Sequence, residues 1–298
     1  VKISIVTDEI SADFETAIEL GAEWGLREFE LRGFYTDRVP TLTDYQKERL
    51  SETLDAFDSR IIAISPGLFK IPYPLGPRKG ASLAWLDHGM FQNRRSLQDQ
   101  VKYHRFELLP ASIEFATRLG VKLILAFSFH RMGLPAGSAP DEILEILNDA
   151  ANQAEAAGLQ LAVEVEDEFW ADTGQWAAEL MATIDHPALG INWDPGNAFM
   201  AGDIPYPDGY QAVRHWVKHV HFKDAKIDLH GRRRYAVQGQ IDWAGQIQAL
   251  ANDDYRGYLS IETHMRPKVK AARDELDRLR QLLEQAIPQD TNRKGVNK

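Results

Sequence analysis

The chain contains no cysteine. That excludes disulfides, thiolate metal sites, iron–sulfur clusters and cysteine nucleophiles together. Any metal must therefore sit on His, Asp and Glu. Basic charge is also short: 34 Lys and Arg stand against 44 Asp and Glu, a formal net charge of -10. Proteins that wrap nucleic-acid phosphates usually carry the opposite balance, so no nucleic-acid partner is expected. No apolar run approaches the roughly 18 residues that span a bilayer, so no membrane partner is expected either. The opening segment Val1–Val6 reads as a strand without a signal-peptide layout, and the expected location is cytoplasmic.

What is present is an alternation. Short β-branched or apolar runs occur near Lys2–Thr7, Arg27–Leu31, Arg60–Ser65, Val121–Phe127, Leu159–Val165, Ala188–Trp193, Lys218–Phe222 and Tyr258–Ile261. Most are bounded by turn residues, as buried parallel strands are. Between them lie stretches with helical spacing: Ala12–Trp24 behind a Ser11 cap, Thr43–Phe57 capped by Thr43 or Asp44, His104–Leu119, Asp141–Ala157, Gly174–Ile184, Ile241–Ala251 and Val269–Ala286. A sixth helix is short, near Tyr210–Trp216, because Pro205, Pro207 and Gly209 interrupt the pattern. Gly21, Gly120 and Gly158 fall near helix ends, where a left-handed residue suits glycine.

Strand–helix alternation over the whole chain favours a parallel sheet coated by helices. A prior of roughly 150 residues per domain would divide 298 residues in two, but α/β barrels take about 250 as one domain. Eight units favour closure into a (β/α)8 TIM barrel over an open doubly wound sheet. The expected organisation is one barrel over 1–287 and a frayed polar tail over 288–298. Residues 66–103 form a long insertion after the third strand. A lid over the barrel mouth and a surface loop or oligomer contact account for it equally well.

Active sites of such barrels gather at the C-terminal ends of the strands, so the polar residue closing each run is informative. The fifth run ends in Glu164 and Glu166, the sixth in Asp194, the seventh holds His219 and His221, and the eighth ends in Glu262. Glu164, Asp194, His221 and Glu262 thus fall on four consecutive strand ends. Three carboxylates and one imidazole are a hard donor set suited to Mn²⁺ or Mg²⁺, with Co²⁺ or Zn²⁺ as alternatives. Any one of the four, taken alone, is an ordinary loop acid, helix cap or core histidine.

The segments Glu30-Leu-Arg32, Leu161-Ala-Val-Glu164, Asp194-Pro-Gly-Asn197, His219-Val-His-Phe-Lys-Asp224, Gly239-Gln-Ile-Asp242 and Gly257-Tyr-Leu-Ser-Ile-Glu262 resemble the xylose isomerase-like TIM-barrel superfamily, nearest its sugar phosphate isomerase/epimerase group. The resemblance runs over about residues 2 to 265. It implies that Glu164, Asp194, His221 and Glu262 bind one divalent metal, and that Glu164 and Glu262 act as the acid–base pair on a ketose or related keto-polyol. Two positions differ. Asn197 stands where epimerases of this family often carry a substrate-contacting His, and Val237 opens a segment that usually begins with Gly.

Several further residues are candidates for substrate contact: Arg32, His130, Glu166, Asn197, His219, Lys223, Arg232 and Arg234. Arginine suits bidentate capture of carboxylate or phosphate, although an Arg232–Arg234 run is equally a solvated loop balancing the acidic excess. Glu166 shares the facing of Glu164 and either meets substrate or pairs with a cation. Asp224 is read as orienting His221, or Lys223 as holding an oxyanion; His219 lies behind the site or touches substrate.

The leading expectation is an isomerase or epimerase acting on a small sugar. A dehydratase of the inosose or dehydroshikimate type would use the same proton abstraction. An endonuclease IV-type nuclease needs a three-zinc cluster with extra histidines and an Asp-x-His pair after the seventh strand, where Arg232–Arg234 stand. It also needs a strand-six histidine, where Asn197 stands. A sugar-binding barrel without catalysis would not need all four ligands. Such barrels commonly pair, which makes a homodimer the assembly to test.

Overall fold

The computed structural model describes residues 1–73 and 96–286. All eight apolar runs are strands: β1 (Lys2–Val6), β2 (Glu28–Leu31), β3 (Arg60–Leu68), β4 (Leu123–Ala126), β5 (Gln160–Glu164), β6 (Leu189–Trp193), β7 (Val217–Phe222) and β8 (Tyr258–Ile261). They pair in parallel and close in chain order, with Ile5 set against both Phe29 of β2 and Ile261 of β8. Strands enclosed by the barrel interior on one side and helices on the other need apolar residues on both faces. Leu189–Trp193 is buried at every position, and its one polar side chain, Asn192, is hydrogen-bonded to Glu164. The expected (β/α)8 TIM barrel is the architecture found.

Local chemistry sets the helix ends. Thr43 and Gln46 form a reciprocal capping box at Asp44–Ala56. Helix Phe14–Glu23 starts after Asp13, which accepts the Thr16 N–H at 2.8 Å; Ser11, the expected cap, takes the Asp13 N–H instead. Gly21 lies inside this helix, where a Cβ would come 2.4 Å from the Phe29 ring, so close packing rather than a helix end requires it. The left-handed residue that follows is Gly25 (φ +82°), while Gly120 and Gly158 (both φ +68°) do follow their helices as expected.

Three features depart from the expected element list. β3 runs on to Leu68, so residues 66–68 are strand rather than insertion. Leu97–Tyr103 is helical and continues through a wide π turn at His104–Leu108 into Leu109–Arg118. Pro110 has no N–H to give an earlier carbonyl, which suits a widened turn just before it. Short elements also escape the periodicity: a single turn at Thr7–Ile10, a helix at Pro195–Ala201, and the hairpins 33–38 and 225–235. The lid reading turns on residues 74–95, and these, with the tail 288–298, lie outside the described residues.

Candidate metal centre at the barrel mouth

Glu164 closes β5, Asp194 follows β6, His221 lies near the end of β7, and Glu262 follows β8. All four are at most 3% exposed. Each presents one donor atom, and the four atoms lie within 4.8 Å of one another. His221 Nδ1 stands 3.2 Å from Glu262 Oε2, 3.4 Å from Asp194 Oδ2 and 3.7 Å from Glu164 Oε1. Among the described residues, Asp194 Oδ2, His221 Nδ1 and Glu262 Oε2 make no well-aligned hydrogen bond. The two oxygens ion-pair with Lys223 Nζ, and all the donor atoms still converge on one place. The donors are hard, mostly anionic and aimed at one another, and they fit a divalent cation.

Asp194 divides its oxygens between two tasks. Oδ1 accepts the Asn197 N–H at 2.8 Å and caps the helix Pro195–Ala201, which leaves Oδ2 to the cluster. The Asp is thus both helix cap and cluster member, and Pro195 fits the first helical position, where its missing N–H costs nothing.

The orientation of His221 comes from β2. Glu30 is 1% exposed and its Oε2 lies 3.1 Å from His221 Nε2 and 3.0 Å from His219 Nε2. A proton on Nε2 of His221, donated to Glu30, leaves Nδ1 as the atom facing the carboxylates. Burial opposes charge on both partners, but the pairing wins: Glu30 is held below the ordinary carboxylate range by His221 and His219. His221 is raised well above its ordinary value by Glu30, Glu164 and Glu262. His219 therefore sits behind His221, on Glu30. Asp224 turns away from His221; it accepts the backbone N–H groups of Ala225, Gly239 and Ile241 and pairs with Arg278 at 2.6 Å. Its task is to fix the segment after β7, which corrects the expected orienting role.

Two cations and a histidine meet the carboxylates. Lys223, wholly buried, has Nζ at 2.8 Å from Asp194 Oδ2 and 2.5 Å from Glu262 Oε2, and donates to Asn197 Oδ1 at 3.0 Å. Arg32 bridges Glu262, Asp8 and Glu9. His264 stands 3.5 Å from Glu262 Oε1. Burial works against the charge of Glu262, yet Lys223, His264, His221 and Arg32 hold it well below the ordinary carboxylate range.

Asn197 is a buried hub rather than an open contact. Its Nδ2 donates towards Glu164 Oε1, the Val165 carbonyl and Glu166 Oε2, and its Oδ1 accepts from Lys223 and Tyr235. Glu166 pairs with Lys70 at 3.0 Å. His130 accepts the Met132 N–H on Nδ1 and meets Glu168 through Nε2 at 3.0 Å. Met132 and Glu168 lie along the neighbouring loops rather than in the four-residue cluster. Arg232 and Arg234 are 60% and 54% exposed on the 225–235 hairpin, and both pair with Asp228. Both are thus solvated and paired within their own hairpin. Glu9, Glu30 and Tyr235 were not among the expected site residues. Glu30 had a usable signal: a carboxylate inside the apolar strand Phe29–Leu31 must find a partner.

A family model described as xylose isomerase-like TIM barrel matches residues 18–282. The chain belongs to that family. No curated protein sequence matches it. Solved structures similar to this family member include a probable 3-DHS dehydratase, AsbF, from Bacillus anthracis (18% identity, 94% of this chain and 99% of that one, TM-score 0.68). An L-ribulose 3-epimerase is similar at 18% identity over 96% of this chain and 95% of its own, TM-score 0.68. The IOLI protein with a bound zinc atom is similar at 17% identity over 97% and 100%, TM-score 0.68. At these identities the likeness establishes the fold. Among the described residues no helix is long and apolar enough to cross a membrane.

Proposed function

We propose that the chain is a divalent-metal-dependent isomerase or epimerase acting on a ketose, a sugar phosphate or a related keto-polyol through an enediolate. The observation that carries this reading is the convergence of Glu164, Asp194, His221 and Glu262, three of whose donor atoms are buried without a well-aligned hydrogen bond. These four would hold the cation, Mn²⁺ or Mg²⁺ first and Co²⁺ or Zn²⁺ as alternatives. A cation bound there would supply the positive charge that acidifies a C–H beside a carbonyl and stabilises the oxyanion. Glu262, kept ionised by Lys223 and Arg32, is the base that takes the proton. Glu164, which Asn197 and Asn192 hold from two sides, returns a proton to the other face.

One observation favours a second reading, a dehydratase of a cyclic keto-polyol. The Lys223 ammonium lies buried among the same carboxylates, where it could give its proton to a departing hydroxyl. Elemental analysis after purification without chelator, and again after Mn²⁺ reconstitution, tests the shared premise. About one metal per chain is expected; none after reconstitution overturns it, and three per chain would point to a nuclease-type cluster instead. Proton exchange in D₂O with retention of all carbon-bound oxygens then marks an isomerase or epimerase, and loss of water marks a dehydratase.

A further inference from the structure

The cations around the mouth are almost all matched with acids. Arg32 holds Asp8, Glu9 and Glu262, Lys70 holds Glu166, Arg131 holds Asp172, and Lys223 holds Asp194 and Glu262. Arg38 is different. It ends the 33–38 hairpin that follows β2 and is half-buried, yet no carboxylate pairs with it among the described residues.

Its guanidinium is nevertheless fixed. Nε donates to the Ser65 carbonyl at 2.9 Å and Nη2 to Ser65 Oγ at 3.1 Å. Gly67 (φ +75°) makes the room: a Cβ there would lie 3.1 Å from both Cζ and Nε of Arg38. One edge of the fork is thus committed to β3, and Nη1 is left without a partner among the described residues. Burial, and then the like charge of Arg32, push its pKa down to about 10, while Asp8, Glu164 and Glu262 pull the other way without touching it. The two glutamates of the cluster are therefore within electrostatic reach of the guanidinium. A partly buried, oriented cation with no counter-ion is suited to a ligand anion, because pairing relieves the cost of its desolvation.

We propose that Arg38 receives an anionic group of the substrate, a carboxylate or a phosphate, and so selects charged over neutral keto-polyols. This rests on the reading of the site given under the proposed function and narrows its substrate class. The guanidinium, tied to Ser65 at the end of β3, would anchor one end of the molecule while the reacting carbons lie over the cluster supplied by β5 to β8.

Calorimetric titration of the full chain with inorganic phosphate, and separately with acetate, tests it. Wild type is expected to bind at least one of the two. Arg38→Gln should weaken that binding by about tenfold or more, and Arg38→Lys, which keeps the charge but loses the fork, by less. The exposed Arg118→Gln should leave it unchanged, which separates a site from general attraction. Loss confined to phosphate identifies a phosphate-bearing substrate, and loss confined to acetate a carboxylate. A wild-type chain that binds neither anion, or an Arg38→Gln variant that binds as wild type does, overturns the proposal. Circular dichroism checks that Arg38→Gln folds; if it does not, Arg38→Lys carries the test, and unchanged affinity in it counts against the fork. A metal count on the same samples keeps the two ideas apart. Metal retained with anion binding unaffected by the substitutions breaks only the Arg38 assignment, whereas a chain without metal breaks the isomerase reading and leaves the anion titration standing.

Discussion

The two halves of the barrel contribute different things to its mouth. β5 to β8 and their ends supply every member of the four-residue cluster, three of them acids. β1 to β3 and their ends supply Glu30, which aims His221, and Arg32, which balances Glu262 together with Lys223 from the second half. The difference teaches that the reacting groups come from one half of the ring, whereas the groups that set their state are drawn from both. A cluster of three carboxylates is tolerable because Lys223 beside it and Arg32 from the first half both pair with it, and His221 faces it correctly because Glu30 holds the far nitrogen.

The comparison predicts its largest effect in the second half. Glu164→Gln and Glu262→Gln each remove a proton-transferring group while keeping its shape, and turnover on an established substrate should fall by about 10²- to 10⁴-fold. Far-ultraviolet circular dichroism should be unchanged. Near wild-type turnover in either variant would remove the acid–base roles and, with them, the contrast between halves.

A stability effect of intermediate size belongs to the first half. His104 accepts the Phe69 N–H on Nδ1 at 2.7 Å and is buried, and burial followed by the nearby Arg38 charge lowers its pKa to about 4. The folded state thus binds a proton less readily than the unfolded chain, whose histidine titrates near 6.5. Stability that depends on neutral His104 is present above about pH 6.5 and is lost as the pH falls towards 4, by up to about 3 kcal/mol. Urea melts at pH 7 and pH 4.5 read this directly. His104→Gln should lose less stability between the two pH values than wild type, and equal losses would refute the assignment.

A smaller but more pointed effect tests the link between halves. Glu30→Gln keeps a hydrogen-bond acceptor for His221 but removes the charge that holds its tautomer, and Mn²⁺ affinity should fall by about 10- to 100-fold. His219→Gln, which touches Glu30 rather than the cluster, should cost less than Glu30→Gln. If both variants titrate as wild type does, the first half does not govern the second.

The same contrast explains what could be read from the chain before its fold was known. The strands were legible because a strand buried on both faces is mostly apolar, as Leu189–Trp193 is but for Asn192. The cluster was legible because Glu164, Asp194, His221 and Glu262 each interrupt or end such a run, and barrel topology brings those ends together. Glu30 was harder, since its partners His219 and His221 lie about 190 residues away and leave no local mark. Arg38 was illegible: its meaning depends on a two-residue hairpin, on the absent side chain of Gly67 and on which other cations are already paired. Asn197 and Asp224 were visible as polar residues, but only the fold shows that backbone groups and neighbouring side chains occupy them.

Arg232 and Arg234 give the smallest expected effect, and for that reason the sharpest check on charge as a guide to function. Three consecutive arginines in an acidic chain suggest an anion site. Arg232 and Arg234, however, are mostly solvent-exposed and share one acid, Asp228, whose oxygens also take the backbone N–H groups of His230 and Arg232. Exposed pairs of this kind contribute little, because water screens them and long side chains must be ordered to form them. The Arg232→Gln, Arg234→Gln double variant should therefore keep kcat/KM within about twofold of wild type and leave the metal count unchanged. A large rise in KM would show that the hairpin folds over bound substrate, moving anion recognition to the second half and erasing the division of labour between the halves.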